Sequence, residues 1–303
     1  MPAGRFLLMG QPLAPAMELA LPDDLAHQAR DVLRLASGDT LRLLDGAGGE
    51  YPATITAMDR KRVMVRVGER VAGRADPTVR VVLCQGMLKA AKYEWVLQKG
   101  TELGVAAFVP LLCERAVAAT EEASESKRRR WAKIVAEALE QCGGSRLPEL
   151  AAPRPLMHAL AGMPPGTVAM MPWEEAAARP LRAALLDAAA AAGGVASVSE
   201  VRLFIGPEGG FSPGEVALAA RAGAIPVTLG PRILRAETAA IAAATLTLEA
   251  LGALDAGPPA ESPYTDKRDA IRHAQKLVRK HVPKDRSLVD ELIAERRAEA
   301  ERE

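Results

Sequence analysis

The chain has 303 residues, which is long enough for two domains that each bury a hydrophobic core. Hydrophobic residues make up 49% and charged residues 25% of the chain, as in ordinary soluble proteins. The formal net charge of +1 excludes a globally basic polyelectrolyte, so any nucleic-acid surface must be a local patch. We find no signal peptide and no run of about 18 apolar residues, so we expect no membrane span and a cytoplasmic location.

The three cysteines are Cys84, Cys113 and Cys142, an odd number without metal-ligand spacing. This pattern favours reduced thiols in the cytosol over a disulfide framework or a metal site. We therefore expect small buried side chains and no bound metal.

Residues 1–73 are predicted to form a small antiparallel β domain, because short alternating runs are separated by glycine-rich or charged turns. The alternation is clearest at 40–44 and 62–67, and residues 27–35 predict one short helix. The arginines of this region either line an RNA-facing surface or form a solvated face. Composition favours the solvated face, because acidic residues nearly match the basic ones.

The pattern changes at 73–77, where we place a domain boundary, and residues 77–254 then alternate between apolar runs and helical spacing. Strands are predicted at 79–83, 106–112, 168–171, 201–205 and 225–229. Helices are predicted at 89–103, 126–141, 179–192, 213–223 and 236–251. This order is typical of a doubly wound α/β domain with a parallel sheet.

Two charged segments remain open to more than one interpretation. Residues 127–130 are four consecutive cations at the beginning of a predicted helix, where they oppose its dipole; they either meet phosphate or are solvated. The tail, 257–303, begins as a proline-rich linker and predicts a basic helix and then an acidic one. These helices pair with each other, bind RNA, cover a partner subunit, or form a solvated tail.

The stretch 204–238 contains two glycine-bearing turns, 206–210 and 230–232, each directly after an apolar run. Between them a helix is predicted at 213–223, with Ser212 as its N-cap. The carboxyl ends of parallel strands are where open α/β sheets bind ligands. Because glycines let the main chain approach closely, we predict that the two turns clasp one flat ligand, such as a purine. The alternative is two tight turns without a ligand.

Known phosphate-binding motifs do not explain these turns. No Lys-Ser/Thr pair follows 206–210, which excludes a Walker A loop and disfavours a nucleotide hydrolase. The turns also come too late in the domain to be the usual dinucleotide fingerprint.

Taken together, IGPEGGFSPGE (205–215) and LGPRILRAETA (229–239) resemble the signature of the bacterial 16S ribosomal RNA uridine N3-methyltransferase (RsmE) family. That family belongs to the SPOUT superfamily of knotted, S-adenosylmethionine-dependent RNA methyltransferases. The resemblance covers about residues 3–254, but Gly144 stands where many relatives have arginine, and the tail has no counterpart. Further matching segments are 27–34, 38–39, Lys89, 94–95, 98–99, 101–104, 130–131 and 140–143.

The resemblance implies a PUA-like small β-barrel at 1–73 that binds RNA and a SPOUT domain at 77–254. The SPOUT fold contains a deep trefoil knot, with S-adenosylmethionine bound between three loops of the knot. It also implies a homodimer that acts on 16S ribosomal RNA or the small ribosomal subunit, without a metal or a membrane. The role of 257–303 is not implied.

Carried over position by position, the resemblance assigns two sets of residues. The cofactor set is Met171, Pro172, Ile205, Gly206, Pro207, Gly209, Gly210, Leu229, Gly230, Ile233, Leu234, Arg235 and Thr238. The RNA-binding set is Arg5, Arg30, Arg34, Lys89, Lys99, Arg130 and Arg146.

Methyl transfer to uridine N3 requires removal of the N3 proton, which spreads negative charge onto the two carbonyl oxygens. We predict that Arg235 stabilises this charge and that Glu208 or Glu237 accepts the proton, although Glu237 is also a candidate helix cap. The target uridine must be unpaired or flipped. Two alternatives remain, namely ribose 2′-O-methylation of RNA and a non-catalytic RNA-binding protein.

Overall fold

The computed structural model describes residues 4–71, 76–77, 79–116, 124–175 and 179–254. Within these ranges the chain forms a five-stranded sheet, followed by a seven-stranded sheet with helices on both faces. The proposed boundary at residue 73 and the tail, with its predicted helices at 266–281 and 287–302, lie outside the described residues.

The first sheet has the strand order β1-β3-β4-β5-β2. Its strands are β1 (Arg5–Leu7), β2 (Glu18–Ala20), β3 (Thr40–Leu44), β4 (Glu50–Met58) and β5 (Val63–Val67). The expectation of an antiparallel sheet is correct for β2 to β5 but wrong for β1, which pairs with β3 in parallel. A parallel pair requires a long crossover connection, and the segment between β1 and β3 is long enough to provide one.

The predicted helix at 27–35 begins and ends earlier than the sequence indicated. Helix α1 (Asp23–His27) follows Pro22, and one π-helical turn, Gln28–Val32, continues it. Arg34 then adopts a left-handed conformation with φ of 53°, which a helix cannot include. The end of the helix is therefore set by backbone conformation rather than by the apolar spacing.

All strand pairs of the second sheet are parallel, which confirms the predicted α/β class. The strand order is β12-β10-β11-β6-β7-β8, and β9 also pairs with β7. The strands are β6 (Arg80–Gly86), β7 (Ala107–Leu112), β8 (Glu149–Leu150), β9 (Arg154–Pro155), β10 (Thr167–Pro172), β11 (Glu200–Ile205) and β12 (Ile225–Val227).

Helices cover both faces of this sheet and bury its apolar side chains. They are α2 (Ala90–Leu103), α3 (Glu125–Cys142), α4 (Leu156–Ala161), α5 (Leu181–Ala191), α6 (Pro213–Arg221) and α7 (Ala236–Ala250). One core contains the buried sides of α2, α3, α5 and α7, including the ring contact of Tyr93 with Trp131. The other core lies under α4 and α6.

Three helix ends around the second sheet carry the capping residues that their local sequence favours. Ser212 caps α6 through a complete capping box, because its side chain accepts from the Glu215 N–H and the Glu215 carboxylate accepts from the Ser212 N–H. Gly104 and Gly143 end α2 and α3 in the left-handed conformation. These caps fix where each helix meets the sheet.

The expectation of buried, apolar cysteines is confirmed for Cys84 and Cys113 but not for Cys142. Cys84 and Cys113 are buried in the second core, while Cys142 is half-buried at the end of α3. Burial raises the pKa of the Cys84 thiol to about 12 and also raises the pKa of Cys113. Both thiols are therefore protonated at neutral pH.

Native protein treated with iodoacetamide at pH 8 should be alkylated first at Cys142. Cys84 and Cys113 should react more than about 100-fold more slowly. Both side chains are buried, and burial disfavours the thiolate, which is the reactive form. Peptide mass spectrometry over time measures the three rates, with protein in urea as the control in which all three react. Equal native rates at Cys84 and Cys142 would contradict the burial of β6.

Candidate functional site

Three loops meet at the carboxyl edge of the parallel sheet. They follow β10 at 173–175, β11 at 206–210 and β12 at 228–235. Strand β10 pairs with both β11 and β12. The two glycine turns are therefore not on adjacent strands, and the loop after β10 lies between them.

The loops enclose a cleft of about 320 Å³, and a smaller hollow of about 80 Å³ adjoins it. A volume of this order lies within the usual range for small-molecule sites. The wall is mixed in character, with backbone from the first turn, apolar side chains and several charges. The lining residues are Lys92, Pro172, Glu174, Ile205, Gly206, Pro207, Glu208, Gly210, Phe211, Ile233, Leu234, Arg235, Ala236 and Ala239.

Most of the residues predicted for the cofactor come together here. Eight line the cleft, namely Pro172, Ile205, Gly206, Pro207, Gly210, Ile233, Leu234 and Arg235, while Leu229 and Gly230 line the hollow. Met171, Gly209 and Thr238 line neither. Met171 is fully buried at the end of β10. Gly209 faces Arg115, on the side of the turn 206–210 that lies away from the cleft.

The first turn lies directly against the end of β6. A Cβ on Gly86 would lie 2.5 Å from the backbone nitrogen of Pro207 and 2.9 Å from the carbonyl carbon of Gly206. The buried Gln85 side chain donates to the Gly206 carbonyl at 3.1 Å. Two residues that sequence reasoning did not single out thus set the position of the turn.

The far side of the same turn is held by the segment after β7. Arg115 donates to the carbonyl oxygens of Gly209 and Phe211 at 3.4 and 3.3 Å. The Glu114 N–H donates to the carboxylate of Glu215 at 3.0 Å. The turn is therefore held from both sides, and Gly210 completes it with φ of 67°.

Both predicted proton acceptors lie beside one lysine. The Lys92 Nζ lies 3.5 Å from Glu208 Oε1 and 3.6 Å from Glu237 Oε2. Sequence reasoning missed Lys92, because a lysine in the first turn of α2 fits any solvated helix. Arg235 stands at the N-cap of α7 without a side-chain capping bond and lines the cleft. Its guanidinium can therefore turn towards a ligand.

Several of the predicted RNA-binding cations are already paired with carboxylates. Lys99 pairs with Glu102, Arg130 with Glu94 and Arg146 with Asp76. The exposed Arg30 pairs with Asp31; this contact lowers the pKa of that carboxyl and raises the pKa of the guanidinium. Lys89, at the beginning of α2, donates its N–H to Glu208 at 3.5 Å.

Arg5 has a structural environment that the resemblance did not indicate. Its guanidinium pairs with the buried Glu50 and donates to the carbonyl oxygens of Gly143 and Gly144. It therefore joins the first sheet to the end of α3. Its predicted contact with RNA stays a prediction.

Comparison with known proteins assigns the family. The chain matches the model of an RNA methyltransferase domain over residues 75–248 and that of an RNA methyltransferase PUA domain over residues 21–68. The chain belongs to the ribosomal RNA small subunit methyltransferase E family. The resemblance noted in the glycine turns is thereby confirmed.

Individual members of the small subunit methyltransferase E family align over most of their length. The Synechocystis protein is 35% identical over 216 residues, which cover 70% of this chain and 67% of that protein. The Neisseria gonorrhoeae enzyme, solved bound to S-adenosylmethionine, is 28% identical with a TM-score of 0.70, covering 81% of this chain and 97% of the other. A putative Legionella pneumophila methyltransferase, solved with the same cofactor, is 30% identical with a TM-score of 0.67, at the same coverage.

None of the helices in the ranges that the structure describes has the length and apolar character of a membrane span. In the same ranges, no group of three or more His, Cys, Asp or Glu side chains is arranged to hold a metal ion.

Replacing Gly86 by alanine should destabilise the protein by about 1–3 kcal/mol, because the new methyl group overlaps the backbone of the first turn. Urea unfolding measures the change. Gly214→Ala on α6 is the matched control, since its Cβ would meet only an ordinary contact at 3.7 Å. For Gly214→Ala we expect the free energy of unfolding to rise by about 0.5–1 kcal/mol. A neutral Gly86→Ala would show that strand and turn are not in contact.

Proposed function

We propose that this protein methylates N3 of a uridine in 16S ribosomal RNA with S-adenosylmethionine as the methyl donor. The observation that carries the proposal is the cleft at the carboxyl edge of the sheet, which the first glycine turn and Arg235 line, while the second glycine turn lines the hollow that adjoins it. Relatives that bind S-adenosylmethionine share this fold at 28% and 30% identity.

The cleft has the chemical character that a bent nucleoside cofactor requires. Gly206 and Gly210 leave bare backbone on its wall, and a Cβ on Gly210 would lie 2.8 Å from Glu174 Oε1. Backbone N–H and C=O groups suit an uncharged purine edge, while Ile205, Leu234 and Ala239 offer apolar contact. We assign cofactor binding to the residues of these three loops.

When bound, the cofactor supplies an activated methyl group on a sulfonium sulfur. The protein has to align uridine N3 with that group and to remove the N3 proton. Arg235 stabilises the charge that develops on the uracil oxygens, in the manner of an oxyanion hole. Glu208 or Glu237 accepts the proton, and the cleft walls exclude water from the reacting atoms.

We assign the two parts of the chain different tasks, with residues 1–73 binding RNA and residues 77–254 carrying the methyl-transfer site. Arg30 lies within the π-helical turn of the first part and Arg34 lies just after it, and Arg34 has the strained backbone that often marks functional positions. Lys89, next to the cleft, would lie against the same RNA. Pairing with carboxylates does not exclude phosphate contact, because exposed ion pairs are weak and exchange readily.

The finer features of the family are part of the same proposal. We infer a small barrel in the first sheet and a deep trefoil knot around the cleft. We also infer a homodimer in the cytoplasm, where ribosomal subunits assemble. The largely exposed Ile233, beside the cleft, supports an interface there. Light scattering at several concentrations tests the dimer, and chain tracing in a crystal structure with cofactor tests the knot.

Purified protein incubated with S-adenosylmethionine and undermethylated small ribosomal subunits should produce 3-methyluridine. Nucleoside mass spectrometry of the 16S RNA, with S-adenosylmethionine omitted as the control, measures the product. A 2′-O-methylated nucleoside would assign the alternative reaction. RNA binding without product and without cofactor binding would assign a non-catalytic RNA-binding protein.

Arg235→Ala should lower the single-turnover methylation rate by about 10²–10³, because one donor to the developing oxyanion is removed. The rate is measured at saturating S-adenosylmethionine, so that a change in cofactor affinity does not enter it, and Arg235→Lys should recover part of the rate. Arg221→Ala, at the exposed end of α6, is the control and should react like the parent protein. An undiminished rate in Arg235→Ala would refute the assigned role.

A further inference from the structure

Lys92 is the point at which three separate elements meet at the mouth of the cleft. Lys92 belongs to α2, Glu208 to the first glycine turn and Glu237 to the first turn of α7. Its ammonium lies between the two carboxylates, at 3.5 and 3.6 Å. These elements are joined here by charge rather than by a shared strand or helix.

Neither carboxylate is free to turn fully into water. The Glu208 side chain is 25% exposed and that of Glu237 is 15% exposed, and the Glu237 Oε2 atom is buried without a hydrogen-bond donor. Lys92 is the cation within 4 Å of that atom among the described residues. Without this ammonium, two partly desolvated negative charges would face each other across the gap.

Other charges near the cleft do not replace Lys92. Arg235 and Glu174 line the cleft without an ion pair between them among the described residues, and Arg115 is bound to backbone carbonyl groups behind the turn. Lys89 contacts Glu208 only through its backbone N–H. Among the described residues, Lys92 is therefore the cation that contacts both carboxylates.

We propose that Lys92 is a positioning residue for the cofactor cleft. Its ammonium neutralises the repulsion between Glu208 and Glu237 and so holds the first turn against the beginning of α7. The distance between the first glycine turn and the beginning of α7 then stays at the value that the cofactor needs. This inference rests on the proposed binding of S-adenosylmethionine in the cleft.

The repulsion makes the proposal testable by a double-mutant cycle. Lys92→Met should weaken S-adenosylmethionine binding about tenfold, because two like charges a few ångströms apart are no longer compensated. Lys92→Arg should stay within about threefold of the parent protein, since the positive charge remains. Isothermal titration calorimetry of the full chain without RNA measures each affinity.

Removal of one carboxylate should restore the affinity for S-adenosylmethionine that is lost when Lys92 is replaced. Glu208→Gln alone should change the affinity by less than about threefold, and Lys92→Met combined with Glu208→Gln should return to within about threefold of the parent protein. A lysine that merely packs against its neighbours would show no such rescue. Lys92→Gln provides a second neutral variant if Lys92→Met does not fold.

The matched control is Arg182→Met on α5. The Nε atom of Arg182 lies 3.2 Å from Oε2 of Glu249, near the C-terminal end of α7 and away from the cleft. The affinity of this control should equal that of the parent protein. Unchanged affinity in Lys92→Met, or a loss that Glu208→Gln does not restore, would overturn the positioning role. A parent protein that binds no S-adenosylmethionine would instead refute the proposed function itself.

Discussion

The site depends on the close approach of bare backbone at the carboxyl edge of the parallel sheet. The end of β6 touches the first turn at Gly86, where even one methyl group would overlap Pro207. Gln85 and Arg115 then hold the turn from opposite sides. Because protein interiors are packed to near-crystalline density, such a contact leaves the wall of the cleft little room to shift.

A second constraint joins the two sheets. Arg5 connects the buried Glu50 to the carbonyl oxygens that end α3, where a cation also complements the helix dipole. Nearby, the Leu7 N–H donates to Glu140 at 2.6 Å, and burial raises the pKa of that carboxyl. These polar contacts, together with the apolar packing of Leu7 and Leu44 against Leu139, hold the first sheet against α3.

The charges of the cleft have a different character from those on the rest of the surface. Surface arginines such as Arg128 form exposed pairs, which contribute little to stability and can exchange a carboxylate for phosphate. At the cleft, partly buried carboxylates share one lysine, and their energies are coupled because water screens them less. Methyl transfer from a cationic donor fits a site in which both signs are held close together.

The sequence by itself determined the class of the second sheet, nearly all its helices, the capping box at Ser212 and the two glycine turns, because these follow from local spacing and backbone preference. The family followed from the same turns. Only the tertiary structure decided the parallel pairing of β1, the place of β10 between the turns, and the meeting of Lys92 with Glu208 and Glu237. Such contacts join residues far apart in the chain, and their geometry depends on how strands order and helices pack, which local patterns do not encode.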